Sequence, residues 1–126
     1  MTLLLDAGAL VAVERGDRDL ISAIKLEMTE GRSALTHAGI VGEVWRGGSG
    51  RQVNLARILA GVEVRAIDEE LGRRAGVLLG TTGLSDVLDA AIVLLADDGD
   101  EIVTSDPTEL RLLLEAADKH VDLIEP

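Results

Sequence analysis

Four acidic residues carry the strongest chemical signal in this 126-residue chain: Asp6, Glu43, Asp89 and Asp106. Asp6 ends the apolar run that opens the chain, and Asp106 ends a second apolar run late in the sequence. A carboxylate in apolar surroundings is costly unless it is paired, neutralised or bound to a cation. Carboxylates that share one cleft repel each other, and a divalent cation with a preference for oxygen ligands relieves that repulsion. The four residues therefore predict a divalent-metal site.

Asp89 is the most distinctive of the four because it interrupts an apolar stretch. It is the only charged residue between Val87 and Ala96, within a helix that the sequence predicts over residues 85–97. A helix that is apolar all round is expected to be buried. A buried helix with one carboxylate favours a functional role for that carboxylate.

Each acid also has a purely structural interpretation, and these alternatives stay open at the level of sequence. Asp6 precedes a predicted helix, where Asp is a favoured N-cap. Asp106 begins the sequence Asp-Pro-Thr-Glu, which has the form of a capping box with proline at the first helical position. Glu43 lies off the apolar stripe of its helix, as solvated charges do, and a mid-helix residue such as Asp89 sometimes faces a polar neighbour. Capping and metal binding are compatible through different oxygens.

Short apolar runs alternate with helical periodicity along the chain, which is typical of an α/β fold. The predicted strands are 2–5, 33–36, 62–67, 101–104 and 121–124, and the predicted helices are 8–14, 19–30, 38–45, 54–60, 69–79, 85–97 and 107–117. Apolar strands linked by helices predict a mostly parallel sheet covered on both faces. Ligands of such sheets bind at the carboxyl ends of the strands, so Asp6 and Asp106 are expected to meet at one rim.

The composition indicates one folded domain over residues 1–126. No apolar run approaches the ~20 residues of a membrane span, and the absence of cysteine excludes disulfides and cysteine-based zinc sites. We therefore expect a soluble, cytoplasmic protein without a membrane partner.

The net charge of -11 argues against a generally basic surface for nonspecific nucleic-acid binding. It does not exclude an RNA substrate, because metal ions can hold phosphates with little local positive charge. It also suits a basic protein partner.

The four acidic motifs resemble those of PIN-domain ribonucleases. They read LLLDA around Asp6, GEV around Glu43, DAAI from Asp89 and VTSD ending at Asp106. Their order and spacing are similar to those of the small single-domain toxins of VapBC toxin–antitoxin pairs, and the resemblance covers essentially the whole chain.

The resemblance implies a PIN-like three-layer fold with a mostly parallel central sheet flanked by helices. It implies an endoribonuclease that hydrolyses RNA phosphodiester bonds with Mg²⁺ or Mn²⁺, acts as a toxin, and is restrained by a cognate antitoxin. Asp6, Asp89 and Asp106 would then be metal ligands, and Glu43 would orient metal or water. A homodimer is also suggested.

Two further residues match this pattern. Asp86 lies one helical turn before Asp89 and is an additional acidic candidate. Thr104 matches the Thr or Ser that the family carries two residues before the last Asp, where it would hold a substrate phosphate or a water.

A function from another class is a noncatalytic protein-interaction module. In such a module the PIN-like scaffold is kept and the acids only cap helices. Its partner would bind equally well without divalent metal and after Asp89→Asn.

Overall fold

The central sheet explains how distant parts of the sequence reach one rim. The computed structural model describes residues 1–48 and 50–126, and within them one sheet has five strands: β1 (Leu3–Leu5), β2 (Leu35–His37), β3 (Glu63–Arg65), β4 (Glu101–Val103) and β5 (Asp122–Ile124). Their order is β3-β2-β1-β4-β5, and all four pairings are parallel. The predicted parallel α/β sheet is therefore confirmed, and its carboxyl ends lie along one edge.

Helices connect successive strands and flank the sheet. The described residues contain seven: α1 (Ala7–Glu14), α2 (Arg18–Thr29), α3 (Ala38–Val44), α4 (Val53–Leu59), α5 (Glu69–Thr82), α6 (Val87–Leu95) and α7 (Pro107–Ala116). Helix α1 packs against α2, α3 and α4, whereas α6 packs against α5 and α7. The helices thus form two packed groups around the strands.

Burial is greatest in the middle of the sheet. All residues of β1 and β2 are buried, and Leu4, Leu5 and Ile102 have no exposed surface. The edge strand β3 is exposed at every residue, so the expectation of strands apolar on both faces fails there. An edge strand has a neighbour on one side only, and charged residues such as Glu63 and Arg65 are common at such edges.

Two helices, α5 and α6, differ from the sequence prediction by more than one residue at an end. Helix α5 continues through Gly80 to Thr82, and its C-cap is Gly83, whose φ of 74° is left-handed. An interior glycine costs a helix only about 1 kcal/mol, which the buried face of α5 offsets, whereas a left-handed residue ends a helix. Helix α6 begins at Val87 instead of residue 85, because Asp86 caps it.

The carboxyl end of α6 is held by one lysine. The Nζ of Lys119 donates to the carbonyl oxygens of Val93 at 3.1 Å and Leu94 at 3.0 Å, and also to that of Ala96. At a helix end, carbonyl groups such as these lack the usual hydrogen bond from the amide four residues on. Lys119 therefore anchors α6 to the segment that follows α7.

No single helix in the described part of the chain is both long and apolar enough to cross a membrane. Helices α5 and α6 reach that length and apolarity only when they are counted together, and a bend of 110° separates them.

Candidate active site

The carboxyl ends of β1 and β4 bring Asp6 beside Thr104. The Asp6 amide donates to the Val103 carbonyl at 3.1 Å, which extends the strand pairing by one residue. The Thr104 hydroxyl then donates to Asp6 Oδ2 at 2.8 Å, and it accepts from the Asp106 amide at 3.1 Å. Asp6, Thr104 and the backbone of Asp106 are thus joined at the predicted rim.

Thr104 serves Asp6 in this arrangement. It is 1% exposed and its hydroxyl proton is directed at the carboxylate. A buried hydroxyl with this partner fixes the orientation of Asp6.

Asp6 also caps α1, as the structural interpretation predicted. Its Oδ1 accepts from the Ala7 amide at 2.7 Å. A carboxylate oxygen has more than one acceptor site, so both bonds leave Asp6 able to bind a cation.

A glycine allows α1 to approach the segment after β4. A Cβ atom at Gly8 would clash with Ser105 Oγ and would lie 2.8 Å from Ser105 Cβ. The absence of a side chain at residue 8 therefore lets the first turn of α1, with Asp6 before it, pack against residues 104–106.

Asp89 lies in the first turn of α6, so its predicted mid-helix position is wrong. The Oδ1 of Asp86 accepts from the amides of Leu88 at 2.9 Å and Asp89 at 3.2 Å, which makes Asp86 the N-cap. The sequence prediction placed the start of this helix too early because it followed the apolar run and not the cap. Acidic residues in a first turn are favoured by the helix dipole, so this position alone is ordinary for Asp89.

The electrostatics of Asp89 are not ordinary. Burial, as the largest cause, and nearby negative charges together raise its pKa to about 7; in decreasing order of effect the charges are those of Asp86, Asp6, Glu109 and Glu43. A raised carboxyl pKa in a polar rim indicates a concentration of negative charge that favours either a proton or a cation.

Glu43 and Glu109 contribute to this charge from two other helices. Glu43 is exposed in the last turn of α3, and Glu109 is exposed in the first turn of α7. The sequence had assigned Glu109 to the capping box of Asp106 and so missed it as a site residue. The sequence feature that could have indicated a site role for Glu109 is its position in the first turn of the helix that follows Asp106.

Asp106 lacks the side-chain cap that its sequence context predicted. It occupies the N-cap position of α7 with Pro107 after it, but its side chain makes no capping hydrogen bond, so the capping box is wrong. It is also not among the residues whose charges raise the pKa of Asp89. The exposed Asp106 carboxylate is joined to the other acids through its backbone.

The acids suit a hard cation chemically but are not assembled around one position. Within residues 1–48 and 50–126, no three His, Cys, Asp or Glu side chains lie close enough together to hold an ion. Carboxylate oxygens are nevertheless the donors that Mg²⁺ and Mn²⁺ prefer. Holding a cation would therefore require some of these side chains to move closer together.

Comparisons with known proteins support the fold. No protein-family model matches the sequence, and no curated protein matches it. The chain is similar to one in the crystal structure of VapBC2 from Rickettsia felis bound to a DNA fragment from their promoter, with a TM-score of 0.71, 13% identity and 98% of each chain covered. It is also similar to PAE2754 from Pyrobaculum aerophilum, with a TM-score of 0.61, 19% identity, and 97% of this chain and 83% of that chain covered. The expected PIN-like α/β fold is thereby confirmed.

Proposed function

We propose that this protein is a divalent-metal-dependent endoribonuclease and the toxin of a type II toxin–antitoxin pair. The observation that carries the proposal is the concentration of negative charge around Asp89, which together with burial raises its pKa to about 7. The acids responsible lie on four separate elements, and Asp6 among them follows β1 at the carboxyl rim of the parallel sheet. That rim is where ligands of α/β folds bind.

The proposal assigns a role to each acid. Asp6, Asp89 and Asp106 would hold Mg²⁺ or Mn²⁺, and Glu43 would orient the metal or a water. Asp86 and Glu109 add negative charge, and Thr104 keeps Asp6 oriented through its 2.8 Å hydrogen bond. When bound, the cation would supply charge stabilisation and a water of lowered pKa for hydrolysis of the phosphodiester.

A cognate antitoxin is the proposed partner, and a homodimer is the proposed assembly. The similar chain comes from a VapBC2 structure, and the net charge of -11 suits a basic inhibitor. An Arg or Lys inserted near Asp89 would compete with the metal for the same carboxylates.

One observation favours the noncatalytic alternative. The carboxylates of Asp6 and Asp86 cap α1 and α6, and among the described residues no three candidate ligands surround one position. An interaction module would need the acids for these caps alone. The two functions differ in whether divalent metal and Asp6 are needed for RNA cleavage.

A cleavage map separates the two functions. Total RNA is incubated with purified protein in Mg²⁺, Mn²⁺ or chelator, and new RNA ends are located by sequencing. The variant Asp6→Asn is informative because Asn is as good an N-cap as Asp, so α1 should remain formed. The matched control is Asp122→Asn, because Asp122 is exposed at the start of the edge strand β5, away from the rim.

The proposal predicts discrete new ends with metal for the parent and for Asp122→Asn, and none with chelator or with Asp6→Asn. Equal cleavage by Asp6→Asn and the parent would contradict it. No cleavage of any RNA by the metal-loaded parent would favour the interaction module.

A further inference from the structure

Strand β2 ends in two polar residues that the proposed reaction does not use. Thr36 and His37 are both 0% exposed, which is unusual for polar side chains in a strand of three residues. Successive strand residues point to opposite faces of the sheet. Buried polar groups need hydrogen-bond partners, so the bonds of these two residues indicate what they hold.

Thr36 holds the end of β1. Its hydroxyl donates to the carbonyl oxygen of Leu5 at 2.7 Å, across the sheet. Leu5 is the residue immediately before Asp6. The bond therefore fixes the peptide group from which Asp6 projects.

His37 holds the start of α6 in the same way. Its Nδ1 accepts from the Ile40 amide at 3.2 Å, so the ring proton must lie on Nε2. Nε2 then donates to the carbonyl oxygen of Leu88 at 2.9 Å. Leu88 is the residue immediately before Asp89. The Nδ1 bond caps the start of α3, whereas the bond to Leu88 joins two segments that are distant in the sequence.

A close contact reinforces the second bond. A Cβ atom at Gly39 would lie 2.5 Å from Leu88 Cδ2, 3.1 Å from Ile67 Cδ1 and 3.2 Å from His37 Cε1. The first turn of α3 is therefore packed tightly against Leu88. His37 at the end of β2 thus holds the backbone of Leu88, and Gly39 in α3 lies against its side chain.

We propose that Thr36 and His37 are positioning residues that set the separation between Asp6 and Asp89. Because they are neighbours on one strand, the two carbonyl groups that they hold are fixed relative to each other. Both residues are uncharged in these bonds, so they hold the acids in place without competing with a cation for them. The effect on cleavage rests on the proposed nuclease function, whereas the effect on the local structure does not.

Two pairs of variants distinguish the effect of losing these bonds from a general loss of stability. His37→Asn keeps an acceptor for the Ile40 amide but is too short to reach Leu88, whereas His37→Gln places a donor near the position of Nε2. Thr36→Val removes the hydroxyl at nearly constant volume, and Thr36→Ser keeps it. In each pair the second variant is the matched control.

The first measurement is amide hydrogen exchange of the metal-free protein. In His37→Asn, the amides of Asp89 and Ala90 should exchange roughly five- to tenfold faster, the effect expected for one lost buried hydrogen bond. In Thr36→Val the same increase is expected at Asp6. His37→Gln and Thr36→Ser should stay near the parent, and amides of α7 should not change in any variant.

The second measurement is the affinity for Mn²⁺ together with RNA cleavage. Both should fall on the order of 10–100-fold in His37→Asn and Thr36→Val, as for outer-shell residues of metal sites, and should be retained in the two controls. Unchanged exchange at Asp89 and Asp6 in the folded variants would overturn the proposal, as would controls that behave like Asn and Val. A parent without nuclease activity but with the expected exchange pattern would contradict the proposed function and still support this inference.

Discussion

Asp89 is the residue at which burial and charge act most strongly in the described chain. Both effects favour its neutral form and raise its pKa to about 7. A cation bound there would need the ionised carboxylate, so metal binding should release a proton near neutral pH. The same residue therefore links pH, stability and the proposed activity.

The stability of the metal-free protein should depend on Asp89 with a definite sign. Its pKa of about 7 in the folded state lies above its ordinary unfolded value, so the folded state binds the proton more tightly. Protonation thus contributes stability that is fully present below about pH 4 and is lost as the pH rises through about 7. Because Asp89 is only half-buried, we expect on the order of 1–2 kcal/mol after screening by solvent.

Asp89→Asn should therefore be more stable than the parent at pH 8 by about that amount, and it should lack the parent's loss of stability between pH 5 and pH 8. Urea unfolding in chelator at the two pH values measures this, with Asp122→Asn as a control that keeps the parent's behaviour. Strong destabilisation of Asp89→Asn would instead indicate that its carboxylate makes a structural contact.

At the residue scale, the sequence predicted those features of the site that depend on where a residue lies along the backbone. Asp6 and Thr104 meet because parallel strands end at one edge, and Asp6 caps α1 as its place before a helix indicated. Side-chain direction was not predictable in the same way. The charge of Glu109 raises the pKa of Asp89, and the Asp106 side chain makes no capping hydrogen bond, whereas the capping pattern around Pro107 had assigned both residues to a cap.

At the scale of elements, helix α6 is held by polar contacts at both ends. Asp86 and His37 hold its first turn, and Lys119 holds its last carbonyl groups. Apolar contacts with α5 and α7 leave a smooth helix free to slide or turn, whereas these polar bonds fix it. The position of Asp89 depends on them.

Lys119→Met should destabilise the protein by about 1–3 kcal/mol, because the carbonyl groups at the end of α6 lose a charged donor while the aliphatic stem is kept. The control is Lys25→Met, since Lys25 is an exposed residue of α2 and should have an effect within about 0.5 kcal/mol. Urea unfolding at neutral pH compares them. Equal stability of the two variants would show that the Lys119 bonds contribute nothing.

The elements themselves were predictable where one local rule dominates. Apolar runs gave β1 and β4, and helical spacing gave α3 within one residue of its observed end. The predictions of strand β3 and of the start of α6 were less accurate. Pairing at a sheet edge and capping by Asp86 depend on contacts that apolar periodicity does not encode.

At the scale of the whole molecule, the acidity of the chain bears on its partner. Because the protein has a net charge of -11, it attracts basic segments generally, and the rim around Asp89 should attract them in particular. An inhibitor that inserts Arg or Lys there would occupy the place of the cation. Inhibition and metal binding would then exclude each other.

The proposed antitoxin should consequently inhibit less well as Mn²⁺ concentration rises. Removing its inserted Arg or Lys should weaken inhibition even where the complex persists, because the rest of the interface still binds. Cleavage assays and a binding measurement on the same complex separate the two effects. Full inhibition by a partner that makes no contact near Asp6, Asp89 or Asp106 would show that this mode of inhibition is wrong.

The most direct test of the account is the rate of RNA cleavage as a function of Mg²⁺ or Mn²⁺ concentration for the parent, Asp89→Asn and Asp122→Asn. We expect the parent and Asp122→Asn to reach the same saturating rate. Asp89→Asn should be folded and at least about 100-fold slower at every metal concentration, because it lacks a carboxylate that holds the cation. A folded Asp89→Asn protein that cleaves RNA at the parental rate would contradict the assignment of the charged rim as the active site.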